Sequence, residues 1–137
     1  MNRDHDPQEL DRDRALGLLA RALVGRVVYT VGALPAVLPV HFRLEPGDGG
    51  ILLSAPAGSE LARAVDDAVI AFEADELDGP DGSGWCVTVL GRAQVRPVAG
   101  AVPAAVRIRI RPELVTGRRL PPLRRAARPP ARLGTGT

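Results

Sequence analysis

The chain has 137 residues, of which 45% are apolar and 25% charged, the balance of one globular domain with no room for two independent cores. No apolar run approaches the ~18 residues that a helical membrane span needs, and the polar start at residues 1–7 predicts no secretory leader. A single cysteine, Cys86, excludes an internal disulfide framework and a cysteine-based zinc site, and points to a reducing, cytoplasmic setting. All 18 basic residues are arginine. Residues 1–100 hold 9 Arg against 15 Asp and Glu, a net of −6, whereas residues 101–137 hold 9 Arg against Glu113 alone, a net of +8. The net charge of +2 is therefore the sum of an acidic body and a basic end, which is not the signature of a nucleic-acid-binding domain.

In chain order, the first predicted element is a helix. Asp6 reads as its cap, Pro7 as its first residue and Glu9 as the capping-box partner, with Leu16, Leu19, Ala20 and Leu23 as the apolar stripe and Gly25 as the stop. Residues 26–31 read as a strand, Gly32-Ala33 as a tight turn and residues 34–44 as the returning strand of a hairpin. Pro35 and Pro39 place that second strand at a sheet edge or bulge. After a turn cluster at 45–50 come a short strand at 51–54, a helix over 58–66 with Leu61 and Val65 inward, and a strand at 68–72. An acidic loop over 73–82 leads to the longest strand, 85–95, and residues 105–110 give the last. Six antiparallel strands and two small helices predict a mainly β fold, a closed or nearly closed barrel, spanning residues 1–120. Residues 121–137, rich in Arg, Pro and Gly, predict a disordered basic tail. With no aromatic residue among Arg118, Arg119, Arg124, Arg125, Arg128 and Arg132 for base stacking, a solvated tail is the better reading than a nucleic-acid contact.

The sequence has no phosphate-binding Gly-rich loop ending in Lys, no dinucleotide fingerprint and no Gly-x-Ser-x-Gly elbow. No metal-ligand spacing surrounds His41, and the acidic segment lacks the calcium-loop register. The stretch Ser54-Ala55-Pro56-Ala57-Gly58-Ser59-Glu60-Leu61 carries more information. A strand runs into a small-residue turn and then a helix start, where free amides and a serine hydroxyl offer either a phosphate seat or plain capping by Ser59.

Five blocks, in order, resemble the actinobacterial pyridoxamine 5′-phosphate oxidase-like family. They are Val24 to Thr30, Leu34 to Phe42, Val69 to Asp78, Ser83 to Ala93 and Arg109 to Leu120. The resemblance covers roughly residues 8 to 120. It implies a six-stranded antiparallel split β-barrel that binds FMN at a homodimer interface and acts on a small molecule; the lack of a long apolar run predicts no membrane partner. It places the flavin along Val37, Pro39, Val40 and His41, and its phosphate at Ser54, Ala55, Gly58, Ser59 and Leu61. Trp85 and Cys86 would approach the ring, and Arg118 of Gly117-Arg118-Arg119-Leu120 would reach a cofactor or substrate.

The chain departs from the family pattern at several positions. Ser54-Ala55 stand where relatives often carry Arg-Thr, and Glu60 where they carry lysine. His41 replaces a common Asn, Cys86 a common Ser, and the segment after Val95 lacks a helical stretch. Two readings follow: a flavin-dependent oxidoreductase, with a deazaflavin held by Arg107, Arg109, Arg111, Arg118 and Arg119 as a variant, or a non-enzymatic barrel dimer that binds flavin or another planar ligand weakly or not at all.

Overall fold

Two helices and nine strands make up residues 8–124, the part of the chain that the computed structural model describes. In order they are β1 (Glu9–Leu10), α1 (Arg12–Leu19), β2 (Val24–Val31), β3 (Leu34–His41), β4 (Arg43–Leu44), β5 (Ile51–Pro56), α2 (Glu60–Val65), β6 (Val69–Leu77), β7 (Gly84–Pro97), β8 (Ala105–Ile110) and β9 (Leu114–Leu120). Hydrogen-bonded neighbours run β3-β2-β6-β7-β8-β5-β4, and β9 pairs with β7 and with β1. The sheet curls into a split barrel because β7 serves two sheets. Its residues Gly84 to Arg92 pair with β6, whereas Ala93 to Pro97 pair with β8. Gly91 sits at the changeover, where a Cβ would lie 1.5 Å from the Arg111 carbonyl oxygen; only glycine permits that approach.

Alternation along the strands fills the space between the two sheets. Val27, Phe72, Val87 and Val89 face in from the large sheet, and Ile51, Ile108 and Ile110 from the small one, all at 0% exposure. Leu19 of α1 and Leu61 and Val65 of α2 plug the same core. The β2–β3 hairpin closes through Gly32 and Ala33, both at positive φ, 54° and 66°, the two-residue turn whose twist matches the strands. Phe42 N–H donates to Leu23 C=O (3.3 Å), so the even-numbered residues of β3 bond to β2. The odd-numbered ones, Pro35, Val37, Pro39 and His41, turn their backbones to the open edge. Both prolines thus occupy positions that need no N–H, as edge placement requires.

Several expectations are corrected. The helix begins at Arg12, capped by Asp11, whose carboxylate accepts from Arg14 N–H (2.8 Å); Asp6 and Pro7 lie outside the described residues. Glu9, read as a capping-box residue, is in β1, paired with Arg118. The buried stripe is Ala15, Leu18, Leu19 and Ala22, while Leu23 is 76% exposed, and Gly25 lies within β2 instead of ending the helix. The returning hairpin strand stops at His41, and β4 crosses to the small sheet. The first half of the acidic segment, Glu73 to Leu77, continues β6 because its backbone pairs with Gly84 to Thr88. The six expected strands become nine with β1, β4 and β9. Residues 98–104 join β7 to β8 without a helix. Of the expected tail, residues 121–124 are irregular and 125–137 lie outside the described residues.

Candidate functional site

The corner where β3 ends and β4 begins opens a groove of about 490 Å³, lined by Pro39, Val40, His41, Phe42, Arg43, Leu52, Leu53 and Ser54. Each side has a distinct origin. The β3 edge contributes an exposed imidazole and backbone groups not used by β2. Phe42, 8% exposed and edge-on to Phe72 (centroids 4.6 Å apart, 62°), makes the floor. Strand β5 supplies Leu52 and Leu53 and the exposed hydroxyl of Ser54. Arg43 adds a guanidinium with no hydrogen-bond partner among the described residues.

Four residues named from the sequence, Pro39, Val40, His41 and Ser54, meet in this groove. Val37 lies two residues before Pro39 on the same outward face and is 59% exposed. The remainder lie elsewhere in the chain. Ala55 points into the core, and Leu61 is 3% exposed within it. Ser59 Oγ accepts from Ala62 N–H (3.1 Å) and is the cap of α2, with Gly58 exposed before it. Glu60 accepts from Tyr29 O–H (3.4 Å). Burial, reinforced by that carboxylate, pushes the Tyr29 hydroxyl pKa up.

Trp85 is 2% exposed, on the inner face of β7. Cys86 and Arg118 are cross-strand partners on the outer face of the large sheet. There Arg26 Nη1 bonds Glu73 Oε1 (2.7 Å) and Asp75 Oδ2 (3.3 Å). Burial pushes the Glu73 carboxyl up, helped by Asp75 and opposed by Arg26. The Cys86 thiol is also pushed up, first by burial and then by Glu73 and Asp75, against a Thr88 hydrogen bond and the Arg118 charge. Such a thiol stays protonated and is a poor nucleophile.

Sequence reasoning missed Arg43, Phe42, Leu52 and Leu53 as groove residues. The sheet crossover at Phe42 brings them to the strand edge, and no spacing along the chain encodes it. Chemically, the groove offers apolar walls, one imidazole, one hydroxyl and one guanidinium. His41 and Ser54 share no hydrogen bond, so the groove lacks a preformed nucleophile–base pair. It suits a flat, mostly apolar ligand with a polar edge and an anionic group.

The sequence matches the family described as pyridoxamine 5′-phosphate oxidase over residues 11–128, and the chain belongs to that family. It is 43% identical over 88 residues to the uncharacterized protein Rv0080 of Mycobacterium tuberculosis, a stretch covering 62% of this chain and 58% of the relative. The chain thus spans less than two thirds of that curated relative's length. Its fold is similar to that of the FAD binding protein from Mycobacterium smegmatis, with a TM-score of 0.68 and 29% identity, over 82% of this chain and 97% of that one. A FAD-binding protein from Mesorhizobium loti shares the fold at a TM-score of 0.66 and 22% identity, covering 82% of this chain and 95% of that one.

Proposed function

We propose that this chain is a flavin-binding split-barrel protein of oxidoreductase type, acting on a small molecule in the cytoplasm, with FMN as its cofactor. The observation that carries the reading is the groove at the β3–β4 corner, which gathers four of the sequence-derived flavin residues beside an open strand edge. The residues suit the group. A flavin ring has flat apolar faces for Phe42, Leu52 and Leu53, and its pyrimidine edge alternates hydrogen-bonding atoms that the backbone of Val37, Pro39 and His41 can meet. Bound flavin supplies hydride or electron transfer, while the protein supplies binding, orientation and exclusion of water. The name of the M. smegmatis neighbour, similar in fold at 29% identity, also supports a flavin.

We further propose that the protein is a homodimer. A row of apolar side chains crosses the outer face of the large sheet in register, Val37–Val28–Ala71–Leu90–Leu114. Val37, Leu90 and Leu114 are 59%, 38% and 55% exposed. A symmetric second copy would cover this row.

The non-enzymatic reading is favoured by one observation, the negative Glu60 at the turn where the family resemblance puts the phosphate. Replacing Ser54 with tyrosine separates flavin binding in the groove from binding elsewhere. Position 54 is exposed on a strand, so the fold tolerates the ring, yet its bulk fills the groove. Riboflavin and FMN titrations followed by flavin fluorescence are expected to weaken by at least about tenfold, ~1.4 kcal/mol. Unchanged affinity would place the ring outside this groove.

A further inference from the structure

The strands of the small sheet carry Arg43, Arg96, Arg107 and Arg109, with Arg92 and Arg111 beside Arg109 at its margin, and their partners divide these arginines into two sets. Arg109 donates from Nε to Glu45 Oε1 (2.7 Å) and from Nη2 to Asp48 Oδ2. Asp48 in turn accepts from Gly50 N–H (2.9 Å), and these bonds hold its carboxyl below the usual range. Arg92 bonds Asp67. These two are neutralised. The guanidinium groups of Arg43, Arg107 and Arg111 have neither a hydrogen bond nor an ion pair among the described residues, and that of Arg96 reaches only the Val95 carbonyl at 3.5 Å.

Two of the unneutralised cations are placed against each other. Arg107 pairs with Ser54 across β5–β8 and with Arg96 across β8–β7. Ser54, Arg107 and Arg96 therefore form one cross-strand row on the outer face. Like charges directly opposite each other in a sheet are destabilising, and among the described residues no carboxylate bonds to either guanidinium to relieve them. The row borders a second groove of about 310 Å³, lined by Glu45, Leu52, Gln94, Arg96, Arg107 and Arg109. Its acid, Glu45, is already spent on Arg109. This groove shares Leu52 with the flavin groove, whose lining includes Ser54, the cross-strand neighbour of Arg107. The two grooves are thus neighbours, with Leu52 in both walls.

We infer that Arg107 and Arg96, beside Ser54, form an anion subsite that takes the phosphate ester of the ligand bound in the neighbouring groove. The inference rests on the flavin reading for the identity of that ligand, but the subsite stands on its own geometry. Guanidinium forks bind phosphate oxygens in pairs, and an anion between Arg107 and Arg96 would replace their repulsion with attraction. It also resolves the missing cations at Ser54, Ala55 and Glu60. Positive charge is supplied across the strands from β8 and β7 instead of from the turn before α2, where Ser59 Oγ is committed to Ala62 N–H. The chemistry is shared by the terminal phosphate of FMN and the pyrophosphate of FAD.

The test uses the full-length protein, its Arg107→Gln and Arg96→Gln variants, and Arg107→Lys, which keeps the charge without the fork. Riboflavin, FMN and FAD are titrated by flavin fluorescence, and melting temperature is measured with and without inorganic pyrophosphate. The wild type is expected to bind FMN or FAD about 10–100-fold more tightly than riboflavin; the tighter of the two identifies the source of the phosphate. Arg107→Gln should erase that preference and leave riboflavin affinity unchanged, with Arg107→Lys between. Pyrophosphate should raise the melting temperature of the wild type and not of Arg107→Gln. If no flavin binds but pyrophosphate still discriminates the two proteins, the subsite holds and the flavin reading fails. An Arg107→Gln variant that keeps the full FMN or FAD preference overturns the subsite. So does pyrophosphate that stabilises both proteins equally or neither.

Discussion

Replacing Phe42 with alanine removes the ring that closes the corner between β3 and β4, and the structure sets the size of the effect. The ring is 8% exposed and stands edge-on to Phe72, which is fully buried. Truncating a buried phenylalanine costs about 3–5 kcal/mol, and losing an edge-to-face partner adds about 0.5–1.5 kcal/mol. Phe42 borders the groove, so neighbouring side chains and water can partly refill the void, and a loss of about 3–4 kcal/mol is expected. That is a large share of the roughly 5–15 kcal/mol that holds an ordinary domain together. Urea unfolding reads it directly, because Trp85 is the only tryptophan and is 2% exposed. Its emission reports the collapse of the core, and an unchanged slope confirms that the effect lies in stability. Phe42→Leu should cost less than about 1.5 kcal/mol and keep the groove floor partly in place. A loss below about 1 kcal/mol for Phe42→Ala would refute the packing argument. The ring would then not be the keystone of the corner, and the groove would need another floor.

Two further predictions follow from the outer face of the large sheet. Cys86, with its thiol pushed up by burial, Glu73 and Asp75, should react with iodoacetamide at pH 8 at least about tenfold more slowly in the folded chain than in urea; equal rates would contradict the placement. Leu90→Glu puts a charge within the apolar row, between Ala71 and Leu114. Sedimentation should give a two-chain mass for the wild type and a one-chain mass for the variant, and a wild-type monomer would remove the dimer from the account.

Much of the fold is legible in the sequence because its local signals agree with the global arrangement. The β-branched run of β2, the Gly32-Ala33 turn and the prolines of β3 together specify an edge hairpin, and β8 falls at the expected residues, 105–110. Local signals fail where tertiary contacts decide. Asp75 and Glu76 read as loop but lie in β6, because their backbones pair with Cys86 and Trp85, and Arg26 compensates Asp75. In β9, Gly117 and two arginines hide the strand period, yet Gly117 is the residue on which α1 and β1 pack: a Cβ there would lie 2.8 Å from that of Ala15 and 3.2 Å from that of Leu10. The candidate groove is half legible for the same reason. Its β3 wall and Ser54 are contiguous motifs, whereas Arg43 and Leu52 arrive through the crossover at Phe42, and Arg107 becomes a neighbour of Ser54 only through strand register.

The measurement that bears most directly on the central claim is flavin retention. The full-length protein is incubated with excess FMN and, separately, excess FAD, then desalted, and its visible spectrum is recorded. The account predicts absorbance near ~450 nm at about one flavin per chain, lost in Ser54→Tyr. A colourless protein after desalting from both flavins would contradict it and leave the family fold without its expected cofactor.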